Sequence, residues 1–194
     1  KAAIDAGFTS VMFDGSHSTI DVNVSETQIV VDYAKAKDVS VEAEVGTVGG
    51  AEDGVVGGVT YAKLEECIAI AETGIDMLAA SLGSVHGDYV GEPQLGFAEM
   101  EQYSKETGLP LVLHGGSGIP KDMIQKAIHA GEAKINVNTE VQKSFTRGVR
   151  EYIESGADQK GAGFDPRKVL SIGIQNMKDT IKETFETFGS IGKA

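Results

Sequence analysis

Cysteine and basic residues are scarce in this sequence, and long apolar runs are absent. The single cysteine, Cys67, excludes an internal disulfide and is compatible with a reducing cytoplasm. Only 17 Lys and Arg residues stand against 29 Asp and Glu residues, for a formal net charge of −12. So acidic a chain is not expected to bind nucleic acid through its general surface, and any anionic ligand must be held by local groups. Since no apolar run approaches the roughly 20 residues of a bilayer span, we expect a cytoplasmic protein with no membrane partner.

Glycine, by contrast, is abundant, and short apolar runs alternate with helical patterns. The 25 glycines follow no collagen or linker period, which indicates tight turns and close backbone approaches. Five apolar runs predict strands at residues 9–17, 39–46, 76–83, 111–116 and 134–140. Strands that alternate with helices predict a parallel sheet, and runs this continuously apolar predict that both of its faces are covered. We expect one α/β domain over residues 1–194.

The helices between these strands have recognisable ends. A capping box from Ser25 to Gln28 predicts the start of the first long helix. Pro120 and Gly131 bound another helix, and a last helix is expected near residues 174–188. The opening "KAAIDAGFTS" is typical of the last turns of a helix, closed by Gly7 and followed by a strand.

Polar side chains follow or end each predicted strand. They are Asp14, His17, Glu42, Glu44, Ser84, His86, His114, Asn136 and Asn138. Because the carboxyl ends of parallel strands lie on one side of a sheet, we expect these side chains to form one site. The glycine-rich "GGSG" and then "NVNT" before a helix are similar to the phosphate site after the last two strands of a (β/α)₈ barrel. The five runs would then be strands four to eight, with three strands expected before residue 1.

The histidines at strand ends suggest a metal. His86, His114 and Glu44 together form a possible zinc set, since zinc binds imidazole nitrogen and carboxylate oxygen. A lone histidine is more often a hydrogen-bonded structural residue, and we interpret His129, within a helix, and His17 in that way. For the pair at strand ends the metal interpretation is favoured.

Two glycine-rich segments have rival interpretations. "HGGSG", residues 114–118, can form an oxyanion hole in hydrolases, but no serine stands at the spacing of a nucleophile elbow. Small residues there let backbone amides approach a phosphate, and a simple tight turn is the alternative. The segment 48–58 is either a mobile acidic loop or a lid that brings Glu52 over a substrate.

Long strings of the sequence resemble one enzyme family. "SVMFDGSH", "VSVEAEVGTVGGAED", "LGSVHGDY", "GEPQLGFAEME", "PLVLHGGSGIP", "KINVNTE" and "DPRK" are similar to class II, metal-dependent fructose-bisphosphate aldolases and their tagatose-bisphosphate relatives. The resemblance runs from end to end. It implies a (β/α)₈ barrel and the reversible cleavage of a ketose bisphosphate to dihydroxyacetone phosphate and glyceraldehyde 3-phosphate, in which zinc polarises the carbonyl as a Lewis acid.

The resemblance also implies residue roles. Zinc would be bound by Glu44, His86 and His114, and a monovalent cation near the phosphate is a further expectation. Glu52 would transfer the proton at the dihydroxyacetone phosphate carbon, with Asn136 as a second catalytic residue. The phosphate and enediolate contacts would be Gly87, Gly115, Gly116, Ser117, Asn136, Val137, Asn138 and Thr139. Arg167 would bind the far phosphate, in relatives across a dimer interface, so we expect a homodimer or higher homo-oligomer.

The sequence departs from the family pattern at two places. The "DHG" segment, which supplies another zinc histidine and the acid at the C4 hydroxyl, does not occur, and Val90 stands where relatives often carry a phosphate-binding lysine. Three alternatives therefore stay open: a tagatose-bisphosphate aldolase, a non-catalytic partial barrel that binds metal and phosphate, and another phosphate-handling barrel enzyme. Asn138 favours fructose over tagatose, because tagatose-type relatives often have alanine there.

Overall fold

The fold was analysed in a computed structural model, which describes residues 1–52 and 55–193. The chain divides into two compact units, residues 1–136 and 137–194. The first unit contains helices α1 (Ala2–Asp5), α2 (Ile20–Lys35), α3 (Leu64–Ala71), α4 (Phe97–Thr107) and α5 (Lys121–His129). Its strands are β1 (Ser10–Phe13), β2 (Ser40–Val45), β3 (Gly49–Glu52), β4 (Val55–Gly57), β5 (Met77–Ala80), β6 (Val85–His86), β7 (Leu111–Leu113) and β8 (Glu132–Ile135).

Five parallel strands form the main sheet, in the order β1-β2-β5-β7-β8. Four of them lie within the first four apolar runs, and the predicted α/β fold with a parallel sheet is confirmed. The fifth run, residues 134–140, was misplaced, since β8 begins two residues before it and shares only Lys134 and Ile135 with it, and Thr139 already begins a helix. Strand β2 is buried along nearly its whole length, since Val41, Ala43 and Val45 on one face are as inaccessible as Glu42 and Glu44 on the other. Burial of both faces is what the continuous apolar runs predicted.

The main sheet is strongly curled. Strands β5 and β7 separate β2 from β8, which in a flat sheet would place β2 and β8 roughly 14 Å apart at the usual strand spacing. Yet Lys134 Nζ on β8 lies 2.7 Å from Glu42 Oε2 on β2. Side chains from both strands therefore meet across the concave face of the sheet, as they do inside a barrel.

A second, small sheet was not predicted. It has the order β4-β3-β6, with β3 antiparallel to β4 and parallel to β6. The segment expected to be a loop over residues 48–58 thus contains a hairpin. Residues 53 and 54, between its two strands in the sequence, lie outside the described residues.

Two predicted helix starts were wrong. Helix α2 begins at Ile20 after Thr19, and the hydroxyl of Ser25 donates to the carbonyl of Val22 within the helix instead of capping it. The last helix, α7 (Pro166–Phe188), begins eight residues earlier than expected, because Asp165 caps it and Pro166 occupies its first position. The predicted ends at Gly7, Gly131 and Phe188 agree with the structure.

The second unit is a pair of packed helices, α6 (Thr139–Glu154) and α7, joined through a short 3₁₀ turn at Ala157–Gln159. Glycines allow the two helices to approach closely, since a Cβ at Gly173 would lie 2.5 Å from Phe145 Cδ2. Within the described residues, no helix is both long and apolar enough to cross a membrane.

Candidate active site

The candidate site lies at the carboxyl ends of β1, β2 and β7. His114 directly follows β7 and is 9% exposed, and Glu42 and Glu44 on β2 are 2% and 4% exposed. Residues two apart in a strand face the same side, so both carboxylates point towards the histidine. His114 Nε2 lies 2.8 Å from Glu42 Oε1, and His114 Nδ1 lies 3.5 Å from Glu44 Oε2. The structure thus brings His114 and Glu44 together, as the sequence analysis expected.

Glu42 is the member of this cluster to which the sequence analysis gave no role. Its second oxygen accepts a hydrogen bond from Lys134, so the buried carboxylate is paired on both sides. Burial raises the pKa of Glu42, but the hydrogen bonds from His114 and Lys134 outweigh burial and hold the pKa below its usual range. The glutamates of "VEAEV" and the lysine of "KIN" are far apart in the sequence, and no sequence pattern predicted that Glu42 and Lys134 would be in contact.

Glu44 and His114 have shifted proton affinities. Burial, with the nearby charge of Asp14, raises the pKa of Glu44 to about 7. For His114 burial acts to lower the pKa, but the hydrogen bond to Glu42 and the charge of Glu44 raise it overall. His17 also acts electrostatically on Glu44, so the end of β1 contributes charges to the same site.

His86 lies beside His114. The centroids of the two imidazole rings are 5.9 Å apart. Tyr89 fixes the two segments relative to each other, because its hydroxyl donates to the carbonyl of Gly115 at 2.9 Å and accepts from the amide of Val85 at 3.1 Å. Tyr89 is thus a positioning residue that the sequence analysis missed.

The predicted lid begins next to His86. Gly49 and Gly50 of β3 pair with Val85 and His86 of β6. Gly50 has a φ of +101°, and a Cβ there would lie 2.0 Å from the carbonyl oxygen of His86, so only glycine fits this close approach. Glu52 ends the same strand, and its side chain lies outside what the structure describes.

The glycine-rich turn after His114 is also held by the backbone. Gly115 has a φ of +68°, and a Cβ there would lie 2.2 Å from the carbonyl oxygen of Val85. The amide of Gly116 donates to the carbonyl of Asn136 at 2.9 Å, which joins the ends of β7 and β8. This bond occupies one of the amides that were expected to bind a phosphate. The predicted phosphate site therefore depends on the other residues of the turn, including Ser117, and on Gly87. Gly87 directly follows His86 and has a φ of +86°.

The remaining predicted contacts belong to the second unit. Asn138 precedes the first turn of α6 and Thr139 begins it, with Val137 just before. Arg167 stands in the first turn of α7, where its guanidinium binds both oxygens of Asp165, Nη2 at 2.6 Å from Oδ2 and Nε at 3.1 Å from Oδ1. Its side chain is 90% exposed. Val90, at the position where relatives often have lysine, is fully exposed.

The pair of His114 and Glu44 fits zinc in chemistry and in spacing. Zinc binds imidazole nitrogen and carboxylate oxygen at about 2.0–2.2 Å, and two such atoms on a tetrahedral ion lie roughly 3.4 Å apart. The 3.5 Å between His114 Nδ1 and Glu44 Oε2 matches that separation. No group of three or more His, Cys, Asp or Glu residues in the described ranges is already arranged to hold a metal ion, so further ligands would have to move or come from elsewhere.

Comparisons with known proteins agree with this geometry. The profile of the family "Fructose-bisphosphate aldolase class-II" matches residues 1–193. The chain is 56% identical over 195 residues to the 6-phospho-5-dehydro-2-deoxy-D-gluconate aldolase of Bacillus licheniformis, covering all of this chain and 65% of that protein. It is also 56% identical over 196 residues to the fructose-bisphosphate aldolase of Geobacillus stearothermophilus, covering 67% of it.

The fold agrees as well. The crystal structure of a putative fructose-1,6-biphosphate aldolase from Coccidioides immitis superimposes with a TM-score of 0.86 at 30% identity, over 99% of this chain and 67% of that one. The chain therefore spans about two thirds of the length of its relatives, and its five-stranded parallel sheet is the corresponding part of their (β/α)₈ barrel. This chain belongs to the class II fructose-bisphosphate aldolase family.

Proposed function

We propose that the protein containing this chain is a zinc-dependent aldolase that reversibly cleaves a phosphorylated sugar and releases dihydroxyacetone phosphate. The observation that carries the proposal is the cluster at the ends of β2 and β7, in which His114 Nδ1 lies 3.5 Å from Glu44 Oε2 with the ring of His86 alongside. Membership of an aldolase family supports the same reaction. Because the chain spans about two thirds of its relatives, this activity is proposed for the whole protein.

The chemistry divides between the metal and the side chains. A divalent metal supplies Lewis-acid stabilisation, several kcal/mol by order of magnitude, to the negative charge that develops on the carbonyl oxygen during cleavage. His114, Glu44 and His86 would hold the metal. Glu52 would move the proton at the carbon next to the carbonyl, and Asn136, directly after β8, would be a second catalytic residue. The backbone around Gly87, Gly115 and Ser117, with residues 136–139, would bind the phosphate.

Two substrates deserve direct comparison. Fructose 1,6-bisphosphate and 6-phospho-5-dehydro-2-deoxy-D-gluconate both place a ketone next to a phosphorylated CH₂ group, so the same metal and phosphate site serves both. They differ at the far end, which carries a phosphate in the first and a carboxylate in the second. The two relatives named for these substrates are equally similar to this chain, and the exposed Arg167 can pair with either anion. Fructose 1,6-bisphosphate remains our first candidate and tagatose bisphosphate a further one.

The experiment is a cleavage assay on the intact protein with each of the three substrates. Dihydroxyacetone phosphate is measured before chelation, after chelation and after zinc is restored. We expect release from at least one substrate, loss on chelation and recovery with zinc. Release that is unaffected by complete metal removal would contradict the zinc-dependent mechanism, and no release from any substrate would favour a metal- and phosphate-binding protein without catalysis.

Oligomeric state and compartment follow from the same proposal. If Arg167 acts on a neighbouring subunit's substrate, the protein is a homodimer or a larger homo-oligomer, and sedimentation of the intact protein measures this. The single cysteine, Cys67, is buried, and burial raises the pKa of its thiol to about 12. With a single cysteine no internal disulfide is possible, which is compatible with the reducing cytoplasm, where we propose that the protein acts.

A further inference from the structure

Three side chains form a continuous hydrogen-bonded path across the concave face of the main sheet. Lys134 Nζ on β8 lies 2.7 Å from Glu42 Oε2, and Glu42 Oε1 on β2 lies 2.8 Å from His114 Nε2 after β7. Glu42 is 2% exposed, so water does not compete for its oxygens. The three residues lie on or directly after three strands and are far apart in the chain, with Glu42 and Lys134 separated by 92 positions.

The direction of each hydrogen bond follows from what the groups can do. An ammonium group can only donate, so Glu42 Oε2 accepts from Lys134. With Lys134 beside it, Glu42 is an ionised carboxylate, and its other oxygen is also an acceptor. His114 Nε2 must then carry the hydrogen of the imidazole. In the neutral ring this leaves Nδ1 with a lone pair, and Nδ1 is the nitrogen that faces Glu44 Oε2.

We infer that Lys134 and Glu42 are positioning residues that hold His114 in the tautomer with hydrogen on Nε2, so that Nδ1 is the metal-binding nitrogen. This inference rests on the proposed metal-dependent function. Carboxylates that hold the second nitrogen of a metal-binding histidine fix both the tautomer and the orientation of the ring. Here Lys134 has an additional effect. If Glu42 is replaced by glutamine, Lys134 determines which end of the amide faces His114.

Substitution of Glu42 by glutamine tests the role of that lysine. In Glu42→Gln, the ammonium group of Lys134 cannot accept from an amide NH₂, so the amide oxygen faces Lys134 and the amide NH₂ faces His114. Nε2 then has to accept, the tautomer with hydrogen on Nδ1 is favoured, and metal binding at Nδ1 is weakened. In the double variant Glu42→Gln with Lys134→Met, the amide can turn round and accept from Nε2 again.

The measurement is zinc affinity of the intact protein by competition with a chelator. We expect Glu42→Gln to weaken binding about 10- to 100-fold, the range found when second partners of metal ligands are changed. Lys134→Met alone should weaken binding less, and the double variant should bind zinc more tightly than Glu42→Gln. Glu132→Gln is the matched control, since Glu132 is a buried glutamate on the same strand as Lys134, and its zinc affinity should equal that of the wild type.

Distinct results overturn the inference and the proposed function. Suppose that the wild type binds zinc. The positioning role would be overturned, and the proposed function left intact, if Glu42→Gln had unchanged zinc affinity or if the double variant bound zinc more weakly than Glu42→Gln. A wild-type protein that binds no divalent metal would overturn both. Nitrogen-15 NMR of the zinc-loaded wild type gives a readout that does not depend on how the variants fold: hydrogen on Nε2 of His114 supports the inference, and metal on Nε2 contradicts it.

Discussion

The side-chain amide of Asn23 donates a hydrogen bond to the backbone carbonyl of Glu44 at 2.9 Å. Asn23 is 3% exposed on α2, and its side-chain oxygen accepts from the hydroxyl of Thr27. This contact ties α2 to the strand that carries both glutamates of the candidate site. Gly15 leaves room for it, because a Cβ there would lie 2.3 Å from Asn23 Oδ1.

Removal of this contact should destabilise the protein. Asn23→Ala leaves buried polar groups without a partner, and we expect the free energy of unfolding to fall by about 1–3 kcal/mol. Urea unfolding followed by circular dichroism measures the change. Gln175→Ala is the control, since Gln175 makes exposed hydrogen bonds to Asp179 and should change stability by no more than about 0.5 kcal/mol. Equal losses in the two variants would mean that the buried contact has no special role.

Most of the fold could be predicted from the sequence, because four strands of the main sheet lie within largely apolar runs bounded by glycine or polar residues. Strand β8 was placed two residues too late, since it carries the charged residues Glu132 and Lys134. The small sheet could not, since the glycine-rich residues 49–57 lack the alternating pattern of a strand. The capping box at Ser25 was misleading because an ordinary helix interior tolerates a serine whose hydroxyl bonds back to the carbonyl of Val22.

The candidate site could be predicted only in part. Position at strand ends was enough to suggest His114 and Glu44, and the structure places them together. The partnership of Glu42 with Lys134 was not predictable, because it depends on the curl of the sheet that brings β2 and β8 within reach. Contacts of the Glu52 side chain and of residues 137–139 with a substrate stay predictions.

Gly50 should be essential for the position of the predicted lid. Gly50→Ala would place a Cβ against the carbonyl of His86 in a backbone conformation that favours glycine. We expect the rate of cleavage to fall on the order of 10- to 100-fold, since small displacements of catalytic groups have large effects. Gly58→Ala is the matched control, because a Cβ at Gly58 meets no atom of the described part of the chain within 4 Å. Steady-state kinetics should show the same rate of cleavage for the Gly58 variant and the wild type. A similar loss of rate in both variants would contradict the role of Gly50 in positioning the predicted lid.

Arg167 should act on the far end of the substrate. Arg167→Ala should weaken cleavage of a substrate with two anionic ends more than it weakens binding of dihydroxyacetone phosphate. Only the substrate with two anionic ends has a far anionic group that needs a charge-assisted contact with Arg167. The comparison is kcat/KM for cleavage against the inhibition constant of dihydroxyacetone phosphate. Lys168→Ala removes the neighbouring exposed cation and should affect neither. If Arg167→Ala lowers both quantities equally, Arg167 does not bind the far end.

Glu132 should make stability depend on pH. It is 3% exposed on β8, its Oε2 has no hydrogen-bond partner among the residues that the structure describes, and burial raises its pKa from 4.5 to about 8. Between these two values the folded state binds more protons than the unfolded state. The stabilising contribution of the protonated carboxyl is therefore complete below about pH 4.5 and is lost progressively as the pH rises to about 8.

Glu132→Gln removes this pH dependence. At pH 7 we expect the variant to be more stable than the wild type by about 1–3 kcal/mol, and at pH 5 the difference should become small. Chemical unfolding at pH 5, 6, 7 and 8 measures it, and Glu106→Gln, at an exposed position on α4, is the control. A difference that stays constant over this range would show that Glu132 does not titrate in the folded protein.

We expect His114 to bind the metal on which cleavage depends. The most direct measurement is the zinc content per chain of the wild type, His114→Ala and His129→Ala by elemental analysis, after each intact protein is loaded with zinc and dialysed. His129 is the matched histidine, since it lies exposed at the end of α5, where its Nδ1 contacts the carbonyl of Gln125. We predict one zinc per chain in the wild type and in His129→Ala and close to none in His114→Ala. One zinc per chain in His114→Ala would contradict the account.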